Sequence, residues 1–251
     1  MNINAAQECF FVLLATRATI TLSGEDRTAF IQNLITNDID LLKTQDCIYA
    51  CLLTPQGKFL YDFFITDTND TLILECEGGD RLSSLTKMLN MYKLRADVSI
   101  NSQDNIPVYI TMGNAPHGHK DPRHGNIGYR SFSKPKNIPQ KDFKEWDKLR
   151  ISLCIPDGSR DLIPNKSTMD EGRMDQINAV SYDKGCYIGQ ELTARMYYRG
   201  LGKKHLRTIT PTDITAAELP QCDEAIIKDG KNIGIMRSSC DNIGLAILKD
   251  E

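Results

Sequence analysis

Apolar positions change their spacing several times along the 251-residue chain, and each change marks an element. Ala18 to Leu22 alternates in the manner of a half-buried strand. Ser23-Gly24-Glu25-Asp26 then offers a cap with an acid three positions on, and Phe30, Ile31, Leu34 and Ile35 share one face of the helix it would open. Two strand-like runs, Asp46 to Leu53 and Phe59 to Thr66, flank Pro55-Gln56-Gly57, which predicts a hairpin. A third run, Thr71 to Glu75, follows the turn residues Asp67-Thr68-Asn69-Asp70. Leu82, Leu85, Met88, Leu89 and Tyr92 recur at helical spacing behind Gly78-Gly79-Asp80, ahead of a strand near Ala96 to Ile100. From Gly113 to Pro139 the pattern is lost apart from Gly128 to Phe132, so a long irregular connection is expected. Gln140 to Ser152 reads as a helix carrying Phe143, Trp146 and Leu149. After Gly200-Leu201-Gly202 come short β-like pieces, His205 to Thr210, Glu224 to Lys228, Asn232 to Met236 and Gly244 to Leu248, with a hairpin turn at Asp229-Gly230. The interleaving predicts an α+β class, and the last fifty or so residues suit a small antiparallel β-barrel.

Charge and composition narrow the classes. A formal net charge of −3 gives no global basic surface, so no stable nucleic-acid partner is expected. The run Arg199, Lys203, Lys204, His205 and Arg207 could still form a positive edge for a polyanionic tail or an acidic partner, although such runs are commonly solvated faces. No apolar stretch reaches the ~18 residues that span a bilayer, and residues 1–4 lack the features of a signal peptide. A monomeric cytoplasmic protein without a membrane partner is the resulting expectation. Eight cysteines, at 9, 47, 51, 76, 154, 186, 222 and 240, include no Cys-x-x-Cys pair, and His117, His119 and His124 lie on a polar stretch without carboxylate or thiol at ligand spacing. No metal site is assigned. Cys47 and Cys51 sit in an apolar run and are read as core.

Cys186 differs. It lies in Lys184-Gly185-Cys186-Tyr187-Ile188-Gly189-Gln190-Glu191, with Arg195 four residues beyond Glu191. A cation two positions away and a following helix N-terminus are conditions that favour a thiolate, and the two glycines permit a sharp turn. Glu191 and Arg195 have the spacing of a helical ion pair. The plainer alternative is a buried small hydrophobe in a strand-to-helix turn.

This motif resembles the signature of the YgfZ family, folate-binding proteins related to the T-protein (aminomethyltransferase) of the glycine cleavage system and implicated in assembly or repair of iron-sulfur proteins. Thr36-Asn37-Asp38, Thr54-Pro55-Gln56-Gly57-Lys58, Asp121-Pro122-Arg123, Gly128-Tyr129-Arg130 and Ile155-Pro156 resemble further family landmarks in the same order. The resemblance implies two interwoven α+β domains over 1–200, with internal boundaries near 45, 100 and 140, and a C-terminal β-barrel over 201–251, around a central folate site. It implies tetrahydrofolate, or a one-carbon derivative, as cofactor. Glu171 would anchor the pterin, Asn37 and Tyr187 would be further contacts, and Arg123 or Arg130 would meet the glutamate tail. Cys186 would be the redox-active or cluster-ligating thiol and Lys184 the group that ionises it. Clients or partners would be iron-sulfur assembly proteins and iron-sulfur enzymes, including radical enzymes that modify tRNA. The T-protein acid-base segment Gly-Gly-x-x-Asp-Asp is reduced here to Gly57-Lys58-Phe59-Leu60-Tyr61-Asp62, which argues against ordinary glycine-cleavage activity. Two alternatives stay open: a one-carbon transferase using Asp62 as acid-base residue, and a non-catalytic protein- or RNA-binding module.

Overall fold

The computed structural model describes residues 8–114 and 116–250, so residues 1–4, considered above as a leader, lie outside it. Its strands form three antiparallel sheets. Strands β1 (Phe10–Leu14), β7 (Val108–Met112), β8 (His119–Lys120) and β9 (Tyr129–Ser131) pair in the order β1-β7-β9-β8. Strands β2 (Arg17–Ser23), β3 (Ile48–Leu53), β4 (Phe59–Asp67), β5 (Leu72–Glu77) and β6 (Ser99–Gln103) pair in the order β3-β4-β5-β2-β6. The third sheet, β10 (Lys204–Ile209), β11 (Ala225–Lys228), β12 (Lys231–Cys240) and β13 (Ile243–Lys249), runs β10-β13-β12-β11.

Alternation along the strands gives the five-stranded sheet two unlike faces. Ile20, Leu22, Ile48, Ala50, Leu52, Phe63, Ile65 and Leu74 pack with helices α1 (Arg27–Gln32) and α2 (Asp80–Lys93). Tyr49, Cys51, Leu53 and Phe64 belong to the second core, with Val12 and Ile110 of the first sheet and Trp146 of helix α3 (Phe143–Ser152). That second face also carries charge. Glu75 accepts from Arg17 Nε at 2.8 Å and is paired with Arg130, while Asp121 accepts from Arg123 at 2.9 and 3.0 Å and from Arg130 Nη1 at 3.1 Å. All five residues are buried. Three guanidiniums thus face two carboxylates, and the ring of Phe64, 3.7 Å from the Arg130 guanidinium carbon and 4.8 Å from that of Arg123, offers its negative face to the surplus.

The third sheet has its own small core of Ile209, Ile214, Ile226, Met236 and Ala246. Buried Arg150 of α3 ties the main body to it, donating to Asp147 and Asp161 at 2.6 Å each and to Ser238 Oγ at 2.8 Å.

Several elements differ from the sequence reading. Helix α1 starts only at Arg27, because the Asp26 carboxylate accepts from the Asp97 backbone N–H at 2.8 Å rather than capping the helix. β6 starts at Ser99, three residues later than expected. The stretch expected to be irregular supplies the two-residue strand β8, while β9 falls within the Gly128 to Phe132 piece excepted from it. β1 and β7 have no counterpart in the reading: Phe10 to Leu14 is an uninterrupted apolar run, without the alternation that announces a half-buried strand.

Candidate functional site

The loop between α1 and β3 organises the motif. Thr36 Oγ1 donates to Ala179 O at 2.6 Å and accepts from the Cys51 N–H, and the Ser181 N–H donates to Thr36 O at 3.0 Å. Asn37 Nδ2 donates to both Tyr49 O and Asn178 O at 2.8 Å, and Asp38 caps the short 3₁₀ turn Ile39–Lys43. Lys184 closes the arrangement from the motif side. Its ammonium donates to Gln32 O at 2.6 Å and to Ile35 O and Asn37 O at 2.8 Å, with Gln32 Oε1 at 3.1 Å. These are carbonyls at and beyond the C-terminal end of α1, where a helix leaves acceptors unfilled and a cation is favoured. Lys184 is only 7% exposed, and desolvation lowers its pKa to about 8 against the opposing pull of Asp38.

Two residues on, Cys186 is exposed. The chain then turns at Gly189 into helix α4 (Gln190–Arg199). Gly189 has φ +83°, and a Cβ there would lie 2.6 Å from Thr54 O and 2.9 Å from the Cα of Gly57. The β3–β4 hairpin and the motif therefore touch backbone to backbone, so the hairpin glycine and the motif glycine serve one contact. Gly185 meets no such constraint, since a Cβ there would have nothing within 4 Å. Gln190 Nε2 reaches back to Gly185 O at 3.4 Å, and Glu191 and Arg195 pair at 3.8 Å on the solvent side of α4.

Beside this loop is a cavity of about 520 Å³, lined by Asn37, Gln45, Tyr49, Asn178, Tyr182, Asp183, Tyr197 and Tyr198 among others. Its lining comes from the 37–49 segment, Pro122, the residues just before the motif and the last turn of α4, so Cys186 lies on the chain that connects two of these parts without being in the lining itself. Tyr182 stacks on Tyr197 with centroids 3.8 Å apart and interplanar angle 15°, and Tyr198 meets both edge-on. Tyr198 is 68% exposed. Such a wall suits a flat heteroaromatic ring, and Asp183, Gln45 and Asn178 are polar groups within the lining that could address its edge. No lysine or arginine is among the lining residues. A pterin plane fits this lining; a carboxylate tail finds no cation in it.

Of the site residues expected from the sequence, the structure brings Asn37 into this lining and sets Cys186 and Lys184 on the adjoining loop. The others go elsewhere. Lys184 does not face the thiol, because three carbonyls hold its ammonium on the α1 side. Arg123 and Arg130 are committed to Asp121 and Glu75 inside the protein and cannot meet a ligand tail. Glu171 pairs with Lys204 at 2.9 Å, at a separate small cavity shared with the third sheet. Tyr187 is buried in the second core. Asp62 is buried, accepts from Tyr49 Oη at 2.9 Å and is covered by Gly158, where a Cβ would lie 2.7 Å from its carboxylate. That enclosure keeps Asp62 out of the cavity lining. The expected basic edge is also largely neutralised: Lys204 pairs with Glu171, His205 lies between Asp170 and Asp250, and Arg207 pairs with Asp250. The tyrosines were missed. Their one signal was three tyrosines bracketing the motif, at 182, 197 and 198, two of them at helical positions facing solvent.

The fold and the site together define a T-protein-like α+β protein with a C-terminal β-barrel domain. Glycine cleavage system aminomethyltransferase T from Bartonella henselae superposes with a TM-score of 0.71 at 12% identity, covering 96% of this chain and 78% of that one. A family model described as the CAF17 C-terminal beta-barrel domain matches residues 203–251. Over nearly its whole length the chain is similar to proteins named iron-sulfur cluster assembly factor IBA57, mitochondrial. The Mus musculus protein is 28% identical, covering 98% of this chain and 78% of its own, and the Homo sapiens protein is 27% identical, covering 98% and 79%. The homolog of Mycosarcoma maydis is 26% identical over 94% of this chain and 72% of its own. These relatives are named as mitochondrial proteins, which overturns the cytoplasmic placement expected from the sequence.

Proposed function

We propose that this chain works in iron-sulfur protein assembly or repair, assembly being what its relatives are named for, with Cys186 as the thiol that meets the cluster and the adjoining tyrosine-lined cavity as the site for tetrahydrofolate or a one-carbon derivative. The observation that carries this reading is the position of Cys186: exposed, on a loop whose base is locked by Lys184 and which follows directly on the lining residues Tyr182 and Asp183. A rigid base and an open thiol are what a transient ligand requires. One protein thiolate cannot complete the ligation of a cluster, so the remaining ligands come from a client or assembly partner docked over the loop. Clients would include radical enzymes such as those that modify tRNA. In the cavity, Tyr49, Tyr182 and Tyr198 would flank the pterin, and Asp183, Gln45 and Asn178 would address its donor and acceptor edge.

The test uses two exposed thiols. Cys186→Ser should abolish the support of iron-sulfur enzyme activity in cells that depend on this protein, whereas Cys222→Ser, at another exposed cysteine, should leave it intact. Full activity with Cys186→Ser would remove the thiol from the mechanism. Tyr182→Ala should weaken tetrahydrofolate binding roughly two- to tenfold, the worth of one aromatic pair; unchanged affinity would remove the cavity.

A further inference from the structure

A second cavity, of about 430 Å³, shares no lining residue with the first. Its walls are Leu13, Leu14 and Ala15 at the end of β1, Phe143 at the start of α3, and Gly158. That volume falls within the ~300–1,000 Å³ of small-molecule sites, and the walls are largely apolar. Four charged side chains reach it: Arg17, Glu77, Asp157 and Arg160.

Their hydrogen bonds leave a specific remainder. Glu77 is filled by Ser159 Oγ at 2.8 and 2.9 Å and by the Arg81 ion pair at 2.6 Å. Arg160 donates to Asp147 at 2.9 and 3.0 Å and to Asp157 Oδ2 at 2.8 Å. Arg17, whose side chain is 9% exposed, uses Nε on Glu75 Oε1 at 2.8 Å and Nη2 on Glu75 O at 3.3 Å. Its third nitrogen, Nη1, has no hydrogen-bond partner among the described residues, and neither has Asp157 Oδ1. Asp157 is 23% exposed at its side chain and is held well below the ordinary carboxylate range: desolvation pushes it up, and Arg150, Arg160 and Arg17 more than offset that. The cavity thus presents one free donor on a buried cation, one free acceptor on an anion, and an apolar wall.

We infer that this cavity binds a small zwitterion with an apolar body, of the class of aromatic α-amino acids. Its carboxylate takes Arg17 Nη1, its ammonium takes Asp157 Oδ1, and its side chain lies against Leu13, Leu14 and Phe143. A simple carboxylate would gain Arg17 Nη1 but leave the Asp157 Oδ1 acceptor unfilled, and a simple amine would gain Asp157 Oδ1 but leave Arg17 Nη1 unfilled.

Calorimetric titration of the full chain tests this with L-phenylalanine, phenethylamine and 3-phenylpropionate as probes. L-phenylalanine should bind, with each one-charge analogue at least about tenfold weaker, the worth of one charge-assisted hydrogen bond. Asp157→Asn, which keeps an acceptor for Arg160, should weaken L-phenylalanine about tenfold. Ala15→Trp, on the exposed turn at the mouth, should block it while leaving the melting temperature unchanged. Saturating tetrahydrofolate should not compete, which separates this site from the tyrosine-lined one. Absence of L-phenylalanine binding, equal binding of either analogue, survival of binding in Ala15→Trp, or competition by tetrahydrofolate would each overturn the inference.

Discussion

The interior between the first two sheets and the surface around residues 180–199 treat polar groups in opposite ways. Inside, Arg17, Glu75, Arg130, Asp121 and Arg123 form one chain in which each charge answers another, and aromatic rings absorb the surplus cation. At the surface, Lys184 is answered mainly by backbone carbonyls, Glu191 and Arg195 meet only at 3.8 Å, and Cys186 and the tyrosines of α4 stay open. The contrast separates residues that make the site rigid from residues available to a second molecule. A conspicuous charge in the sequence therefore says little about reactivity until its partner is known.

Breaking the interior should have the largest effect. Glu75→Gln would leave two buried guanidiniums facing one neutral amide and should destabilise the fold by about 3–5 kcal/mol, read from the urea midpoint. The same network predicts acid sensitivity. Desolvation pushes the Glu75 carboxyl up, but Arg130 and Arg17 override it, and Arg123 and Arg130 do the same for Asp121, so both titrate below their ordinary values of 4.5 and 3.8. Depressed carboxylates contribute stability that is complete above those ordinary values and is lost as pH falls through the lowered ones. An unfolding free energy that stayed flat down to ~pH 2 would contradict that assignment. Lys184→Met comes next, leaving the carbonyls of Gln32, Ile35 and Asn37 without their donor; about 1–3 kcal/mol should be lost, with faster hydrogen exchange confined to the 32–38 loop and the motif. Arg195→Ala should do least, under about 0.5 kcal/mol by the same urea titration, because its pair with Glu191 is long and solvated.

Legibility in the sequence followed the range of the interaction. The hairpin at Pro55-Gln56-Gly57, helix α2 and the C-terminal strands depend on neighbours a few residues apart, and periodicity with turn chemistry located them. Cys47 and Cys51 were recognisable as core, and burial pushes both thiols well above their ordinary pKa. Two of the misassigned charges depend on distant partners: Arg130 finds Glu75 across 55 positions, and Lys184 finds its carbonyls across 147 to 152. No spacing rule connects such positions, so Arg130 looked free for a ligand and Lys184 looked free for Cys186; Arg123 is held by Asp121 only two positions away, and what the sequence hid there is the burial of the pair. The tyrosine wall was hidden for the same reason, since Tyr182 reaches Tyr197 only after the motif loop has turned at Gly189.

The central claim is that Cys186 is an open thiol governed by the cavity beside it. Alkylation of every cysteine by iodoacetamide, followed by mass spectrometry with and without saturating tetrahydrofolate, tests it directly. Cys186 should be modified readily in the free protein and slowed at least severalfold by the ligand, with Cys222 modified at the same rate in both states. Equal rates at Cys186 with ligand bound, or a Cys186 that resists modification in the free protein, would contradict the account.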